Sequence, residues 1–255
     1  MSITTIERKI ALLIDADNIS HTAISVMLAE LAKYGTANIR RAYGDWSSAS
    51  LKGWTSKIHE FAIRPIQQFS YSKGKNATDI ALVIDALELL YTQDVDAFCI
   101  ASSDGDFTPL VMHLKAAGKQ VYGFGRQNTP EAFVNACTTF LYVEKLDVPD
   151  QAASAKAGKG KDDEVRPLSS DTRLVSALRG AVEASADEDG WAHLGTAGSA
   201  VKRQAPIDPR NYGGRKTFRQ LFEDTGLFVI DRAENGQPYI ADKRNKDRTP
   251  SPTAR

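Results

Sequence analysis

In the N-terminal part of the chain, short apolar runs alternate with longer stretches whose apolar residues recur every three or four positions. Ile10 to Ile14 is too short for a helix and wholly apolar, which predicts a strand buried on both faces. Ala37 to Tyr43, Phe61 to Phe69, Val95 to Ala101, Gln120 to Phe124 and Phe140 to Val143 extend the strand series. Pro65 marks the Phe61 to Phe69 segment as an edge or a bend, because proline cannot donate to a ladder. Between these runs, Ser20 to Tyr34, 48–60, Phe107 to Ala117 and Pro130 to Thr138 read as helices. A further helix starts near Asp79, with Ile80, Val83, Ile84, Leu87 and Leu90 as its apolar face. Regular alternation of strand and helix implies a largely parallel sheet with helices on both faces.

The pattern then breaks. Residues 150–167 are small, charged and without periodicity, the composition of a flexible linker. Beyond it, Thr172 to Ala184 is helical with Leu174, Leu178, Ala181 and Val182 on one face, Trp191 to Val201 is a second helix, and Asn211 to Asp224 contains a third. Phe228 to Asp231 and Tyr239 to Ala241 flank Asn235-Gly236, a hairpin signal. Helices followed by a hairpin predict a small winged helix-turn-helix-like domain. The expected organisation is therefore 1–149, a 150–167 linker, 168–242, and a basic disordered tail at 243–255.

Composition adds limits more than direction. Lys plus Arg equals Asp plus Glu, so overall charge does not announce a polyanionic partner. The N-terminal part, 1–149, is slightly acidic, with 14 basic against 16 acidic residues, while 242–255 carries 5 against 2. Two cysteines, Cys99 and Cys137, make no disulfide framework, which fits a reducing compartment. No apolar run is long enough to span a bilayer and no signal-like segment opens the chain. A cytoplasmic protein without membrane contact is expected.

The candidate chemistry lies where apolar strands end in carboxylates. Ile10 to Asn18 reads IALLIDADN, and Phe98 to Phe107 reads FCIASSDGDF. In open parallel sheets, ligands bind beyond the carboxyl ends of the strands. Asp15 and Asp104 fall at two such ends, Asp106 follows, and Asp79 enters from the start of a helix. Hard oxygen donors of this kind suit Mg²⁺ or Mn²⁺. Such an ion also relieves the repulsion among clustered carboxylates. Each acid has a plainer role open to it. Asp79 suits the first turn of a helix capped by Asn76, and Asp17 is either a ligand or a turn residue. Asn18 either orients a ligand and meets substrate, or caps the next helix. Ser102 and Ser103 either bind a phosphate or cap a turn. Asp85, six residues past Asp79 and about 120° round the helix, is structural or supports the site from behind. The four histidines show no metal-ligand spacing.

LLIDADN, then KGKNATDIALVIDALELLY, then IASSDGDFTPLVMHLKAAGKQVYGFG, in that order, resemble the NYN domain of the PIN-like nuclease superfamily, in the branch of the LabA/DUF88 proteins. The resemblance covers about residues 7–147. It implies a Rossmann-like α/β/α sandwich and a Mg²⁺- or Mn²⁺-dependent endoribonuclease. The family's acidic residues fall on Asp15, Asp79, Asp104 and Asp106, with Asn18 beside the first and Lys75 at a recurrent lysine position. Residues 174–241, through Asp189-Gly190-Trp191, Tyr212-Gly213 and Gly226-Leu227-Phe228-Val229, resemble an OST-HTH/LOTUS domain. Such domains are associated with RNA, including G-rich or structured RNA, and with protein partners. Lys202, Arg203, Arg210, Arg215, Lys216 and Arg219 around Tyr212 form a basic window with one aromatic able to stack on a base.

The function expected is metal-dependent endoribonuclease with a C-terminal domain that selects RNA, and self-association or a protein partner through the LOTUS domain is compatible with it. A non-catalytic RNA-binding adaptor is the alternative. A metal-dependent phosphatase or DNA nuclease forms a third class, since fold alone does not set function.

Overall fold

In the computed structural model, the residues described are 8–69, 76–146, 167–246 and 248–252. Lys75, the 150–166 part of the expected linker, and residues 247 and 253–255 of the expected tail lie outside them. The chain divides into two compact units between residues 148 and 149.

The first unit carries one parallel sheet of β1 (Lys9–Asp15), β2 (Thr36–Gly44), β3 (Arg64–Gln67), β4 (Ala97–Ala101), β5 (Gln120–Gly125) and β6 (Thr139–Tyr142). The spatial order is β3-β2-β1-β4-β5-β6, and every pairing is parallel. Its helices are α1 (Ile24–Leu31), α2 (Trp54–Glu60), α3 (Ala77–Thr92), α4 (Thr108–Ala116) and α5 (Glu131–Ala136). Alternate side chains of each strand feed two separate cores. Ile10, Leu12 and Ile14 pack with Ile24, Met27 and Leu31 of α1 and Trp54 of α2. Ala11 and Leu13 pack with Leu82, Ala86 and Leu89 of α3 and with Val111 and Leu114 of α4. Two covered faces explain why β1 and β4 are apolar without alternation. β3, with Pro65, is an edge strand, where a missing N–H is tolerated.

One helix turns a different face inward from the one its spacing suggests. On α3 the buried residues are Leu82, Ala86, Leu89 and Leu90. Ile80 and Ile84 are 59% and 61% exposed, while Val83 and Leu87 only flank the core. The helix is apolar on most of its circumference, so periodicity alone does not choose the face. Ionic anchoring sets the rotation: Asp85 receives the Tyr43 hydroxyl and the Arg41 guanidinium from β2, which makes it structural. Leu82→Ala should therefore destabilise the protein by about 2–5 kcal/mol. Ile84→Ala should stay within about 0.5 kcal/mol of wild type. Urea unfolding of the two variants distinguishes the faces, and equal losses would contradict the packing.

The second unit contains α6 (Thr172–Glu183), β7 (Ala192–His193), α7 (Leu194–Gln204), α8 (Phe218–Thr225), β8 (Phe228–Arg232) and β9 (Pro238–Asp242). The strands form an antiparallel sheet in the order β7-β9-β8. The helix expected from Trp191 starts at Leu194 instead, because Ala192 and His193 pair with Ile240 and Tyr239 of β9. Leu174, Leu178, Ala181 and Val182 are buried as their spacing implies. Of the expected disordered tail, the described part is anchored: Trp191 Nε1 donates to the Thr249 carbonyl at 3.0 Å, and the Thr249 N–H donates to the Asp189 carbonyl at 3.0 Å.

Cys99 and Cys137 are free and buried. Burial pushes the Cys137 thiol up to about 12, so it stays protonated and packs as a small apolar group. Among the described residues, no helix is long and apolar enough to cross a membrane.

Candidate functional site

The order 3-2-1-4-5-6 reverses between β1 and β4. At a reversal the loops leave adjacent strands in opposite directions and open a crevice at the carboxyl edge. Ile14 pairs with Ala101, so the residues that follow each, Asp15 and Ser102, are neighbours across that crevice. The apolar strands thus deliver two polar groups into a buried position, Asp15 at 1% and Ser102 at 0% exposure.

A buried carboxylate needs donors, and Asp15 has four. Its Oδ1 accepts from the N–H groups of Asp17 at 3.2 Å and Asn18 at 3.3 Å. Its Oδ2 accepts from Asn18 Nδ2 at 2.6 Å and Ser102 Oγ at 2.7 Å. A carboxylate offers about four acceptor positions, so Asp15 is filled. Ser102 Oγ in turn accepts the Asp104 N–H at 3.1 Å. This chain of bonds ties β1 to the loop after β4, and gives Asn18 and Ser102 a definite role in orienting Asp15.

Asp104 caps the short 3₁₀ turn Gly105–Phe107 and accepts the Asp106 N–H at 2.8 Å. Asp106 accepts from Asn76 Nδ2 at 3.4 Å. Asn76 does occupy the N-cap of α3, but its side chain makes no capping bond and reaches Asp106 instead. Asp79 sits at the third helical position of α3. Its carboxyl is pushed up to about 6, first by burial and then by the charges of Asp15, Asp104, Asp17 and Asp106. Asp17 is raised too, by burial, then Asp15 and Asp45, against a hydrogen bond from Thr78. Three separate segments therefore meet electrostatically at one place.

The sign of that coupling has a measurable result. Asp79 has an unfolded value near 3.8 and a folded value of about 6. Between these the folded chain holds the extra proton, so metal-free stability falls as pH rises from about 4 to about 6. Asp79→Asn should flatten this slope and raise the melting temperature at neutral pH in EDTA. A thermal-unfolding series over pH checks it, and an unchanged slope would contradict the assignment.

The donor set suits a hard divalent cation: all carboxylate oxygens, with hydroxyl and amide groups beside them and no thiolate or imidazole. Among the described residues, no three such side chains yet stand close enough together to hold an ion. Asp15 would have to exchange a hydrogen-bond donor for one. The charge that lifts Asp79 is the kind that a cation relieves. Ser103, the remaining expected polar residue of this edge, accepts the Arg126 N–H at 2.9 Å through its Oγ. Thr78 and Arg126 escape sequence reasoning, and Asn76 enters it only as a helix cap; the folding of α3 and β5 against β1 and β4 brings them to this edge.

In the second unit the expected basic window divides. Arg210 is bidentate to Asp208, with Nε and Nη2 each at 2.7 Å. Arg215 pairs with Asp224 at 2.5 Å and with the Tyr212 carbonyl. Tyr212 packs on the domain core. These three serve the fold. Lys202, Arg203 and Lys216 are exposed. Lys202 Nζ lies 5.7 Å over the Phe218 ring. A groove of about 390 Å³ runs between α7, the start of α8 and the hairpin, lined by His193, Lys202, Phe218, Arg219 and Gln237. Its aromatic is Phe218 rather than Tyr212.

Fold and site together define a class: a Rossmann-type parallel sheet with an acid-lined switch point, joined to a small α+β domain. The chain belongs to the NYN domain family, whose model matches residues 9–144, and it carries an OST-HTH/LOTUS domain over residues 167–240. NYN domains fall in the PIN-like nuclease superfamily, whose members typically use divalent metals. An uncharacterized protein of Methanocaldococcus jannaschii is 27% identical over 125 residues, covering 48% of this chain and 49% of its own. The chain thus spans about half the length of that curated relative. A protein of unknown function from Vibrio parahaemolyticus aligns over 53% of this chain and 93% of its own, at 19% identity and a TM-score of 0.45. An uncharacterized protein from Nitrosomonas europaea aligns over 37% of this chain and 91% of its own, at 27% identity and a TM-score of 0.26.

Proposed function

We propose that this chain is a divalent-metal-dependent endoribonuclease whose OST-HTH/LOTUS domain selects the RNA. What supports the proposal is the carboxyl edge of the sheet at the switch point, where Asp15 is bonded to Ser102 of the loop after β4 and the Asp79 carboxyl is raised by burial and then by the charges of Asp15, Asp104, Asp17 and Asp106. Asp15, Asp79, Asp104 and Asp106 would hold Mg²⁺ or Mn²⁺. Bound there, the ion supplies counter-charge for a phosphodiester and a more acidic water. The chain's own work is positional. Asn18 and Ser102 fix Asp15, Asn76 steadies Asp106, and the buried ends of β1 and β4 set their spacing. In the second domain, the exposed Lys202, Arg203 and Lys216 would draw in phosphates beside the half-buried Phe218, while Arg219 is paired with Glu223. Single-stranded segments of RNA are the substrates proposed for this surface, and a preference for G-rich or structured RNA rests on the OST-HTH/LOTUS family alone.

The adaptor alternative draws on a specific observation, the complete occupancy of Asp15. One comparison separates the readings. Single-stranded RNA, DNA of the same sequence and a phosphomonoester are incubated with the protein over a Mg²⁺ and Mn²⁺ series. RNA should be cut internally, and the other two slowly or not at all. Binding without cleavage favours the adaptor, and hydrolysis of the monoester favours a phosphatase.

A further inference from the structure

We propose that Arg126 binds a backbone phosphate of the RNA beside the acidic centre, an inference that rests on the nuclease reading above. The carboxyl edge of the sheet is strongly anionic. Asp15, Asp17, Asp45, Asp79, Asp104 and Asp106 all lie on it or interact across it. A divalent ion offsets only two of these charges. A polyanion that reaches this edge needs a cation of the protein nearby.

Among the described residues, the first five positions after β1, β2, β4 and β5 contain one cation, Arg126. It follows Gly125 at the end of β5, the strand next to β4. Neighbouring strands are about 4.8 Å apart, so Arg126 starts one strand from the loop that bears Asp104. That separation is comparable to one nucleotide step.

The backbone at Arg126 is held at both of its polar groups. Its N–H donates to Ser103 Oγ at 2.9 Å. Its carbonyl accepts from the Thr129 N–H at 3.1 Å and from Thr129 Oγ1 at 2.7 Å, and Thr129 is 6% exposed. Gly125 lets this turn lie close against β4, since a Cβ there would fall 2.7 Å from the Ser102 carbonyl and 2.6 Å from Thr129 Oγ1. The same loop that orients Asp15 and Asp104 thus fixes the base of Arg126. Its side chain is exposed, and its hydrogen bonds are made by the backbone. With its backbone already held, Arg126 has only its side-chain rotamers left to order on meeting a phosphate. Ser103 acts through this turn as a positioning residue.

The test uses the full chain with Mn²⁺ and a single-stranded RNA of about six nucleotides. Arg126→Ala should raise KM about tenfold and leave kcat within about twofold. The slope of log KM against log salt should become shallower by about 0.7, the value for one lost phosphate contact on a single strand. Arg126→Lys should recover part of the KM loss and the whole salt slope. Melting temperatures should match wild type. Wild-type KM and salt slope in Arg126→Ala would overturn the inference, as would a fall in kcat with lowered melting temperature and unchanged KM. Wild-type protein that cuts no RNA would remove the nuclease reading and this inference together. Normal cleavage with Arg126→Ala unaffected removes this inference alone.

Discussion

Asp104→Asn should lower metal-dependent RNA cleavage by on the order of 10²–10³-fold while leaving the fold as stable as wild type. The asymmetry comes from what Asp104 does structurally. It caps the turn after β4 by accepting the Asp106 N–H. Asparagine caps as well as aspartate, so the turn keeps its bond and loses only a charge. Loss of that charge also weakens the repulsion at Asp79, where Asp104 is one of the contributors. Stability should stay within about 0.5 kcal/mol, or rise slightly in EDTA. Initial rates on labelled RNA with Mn²⁺, together with urea unfolding, check both halves. Undiminished cleavage would take Asp104 out of the chemistry.

Asp15→Ala should lose activity and stability together. Its four donors are the N–H groups of Asp17 and Asn18, Asn18 Nδ2 and Ser102 Oγ. Truncation removes the carboxylate from all four; the Asn18 N–H keeps its 3.3 Å bond to the Asp15 carbonyl, while Ser102 is wholly buried. A buried unsatisfied group costs about 1–3 kcal/mol. With water reaching part of the Asp17–Asn18 turn, a total loss of about 2–4 kcal/mol is expected. Asp15→Asn keeps one acceptor oxygen, so its loss should be smaller. Urea denaturation of the two variants gives the order. A fully stable Asp15→Ala would mean that the strand ends are held apart from this network, and Asp15 would revert to a ligand and nothing more.

These two aspartates look alike in the chain, each following an apolar run, Asp15 directly and Asp104 after two serines. The difference between them lies in their partners. The Asp15 carboxylate meets Ser102, 87 positions away, whereas the Asp104 carboxylate accepts from the Asp106 N–H of its own turn. A similar division appears at Arg210 and Lys202, both basic and both near Tyr212 in sequence. Asp208 claims the first, while the second stays exposed above Phe218.

What the sequence by itself determined is the kind of architecture and the kind of chemistry. Unbroken apolar runs mean strands covered on both faces, alternating helices mean a parallel sheet, and Asp15, Asp79 and Asp104 sit at element ends where such a sheet presents polar groups. Local spacing carries that much because strand and helix periods are properties of the backbone. The tertiary structure alone decided which face of α3 is buried, because apolar residues lie on more than one side of it, and packing buries Leu82, Ala86, Leu89 and Leu90 while Asp85 meets Arg41 and Tyr43. It also decided that Asn76 reaches Asp106, that Asp15 is filled by four donors, and that Arg126 stands beside the acidic edge. Apart from the Asp17 and Asn18 donors, which lie two and three residues from Asp15, those contacts join residues far apart in the chain, and their distances are set by sheet order and packing.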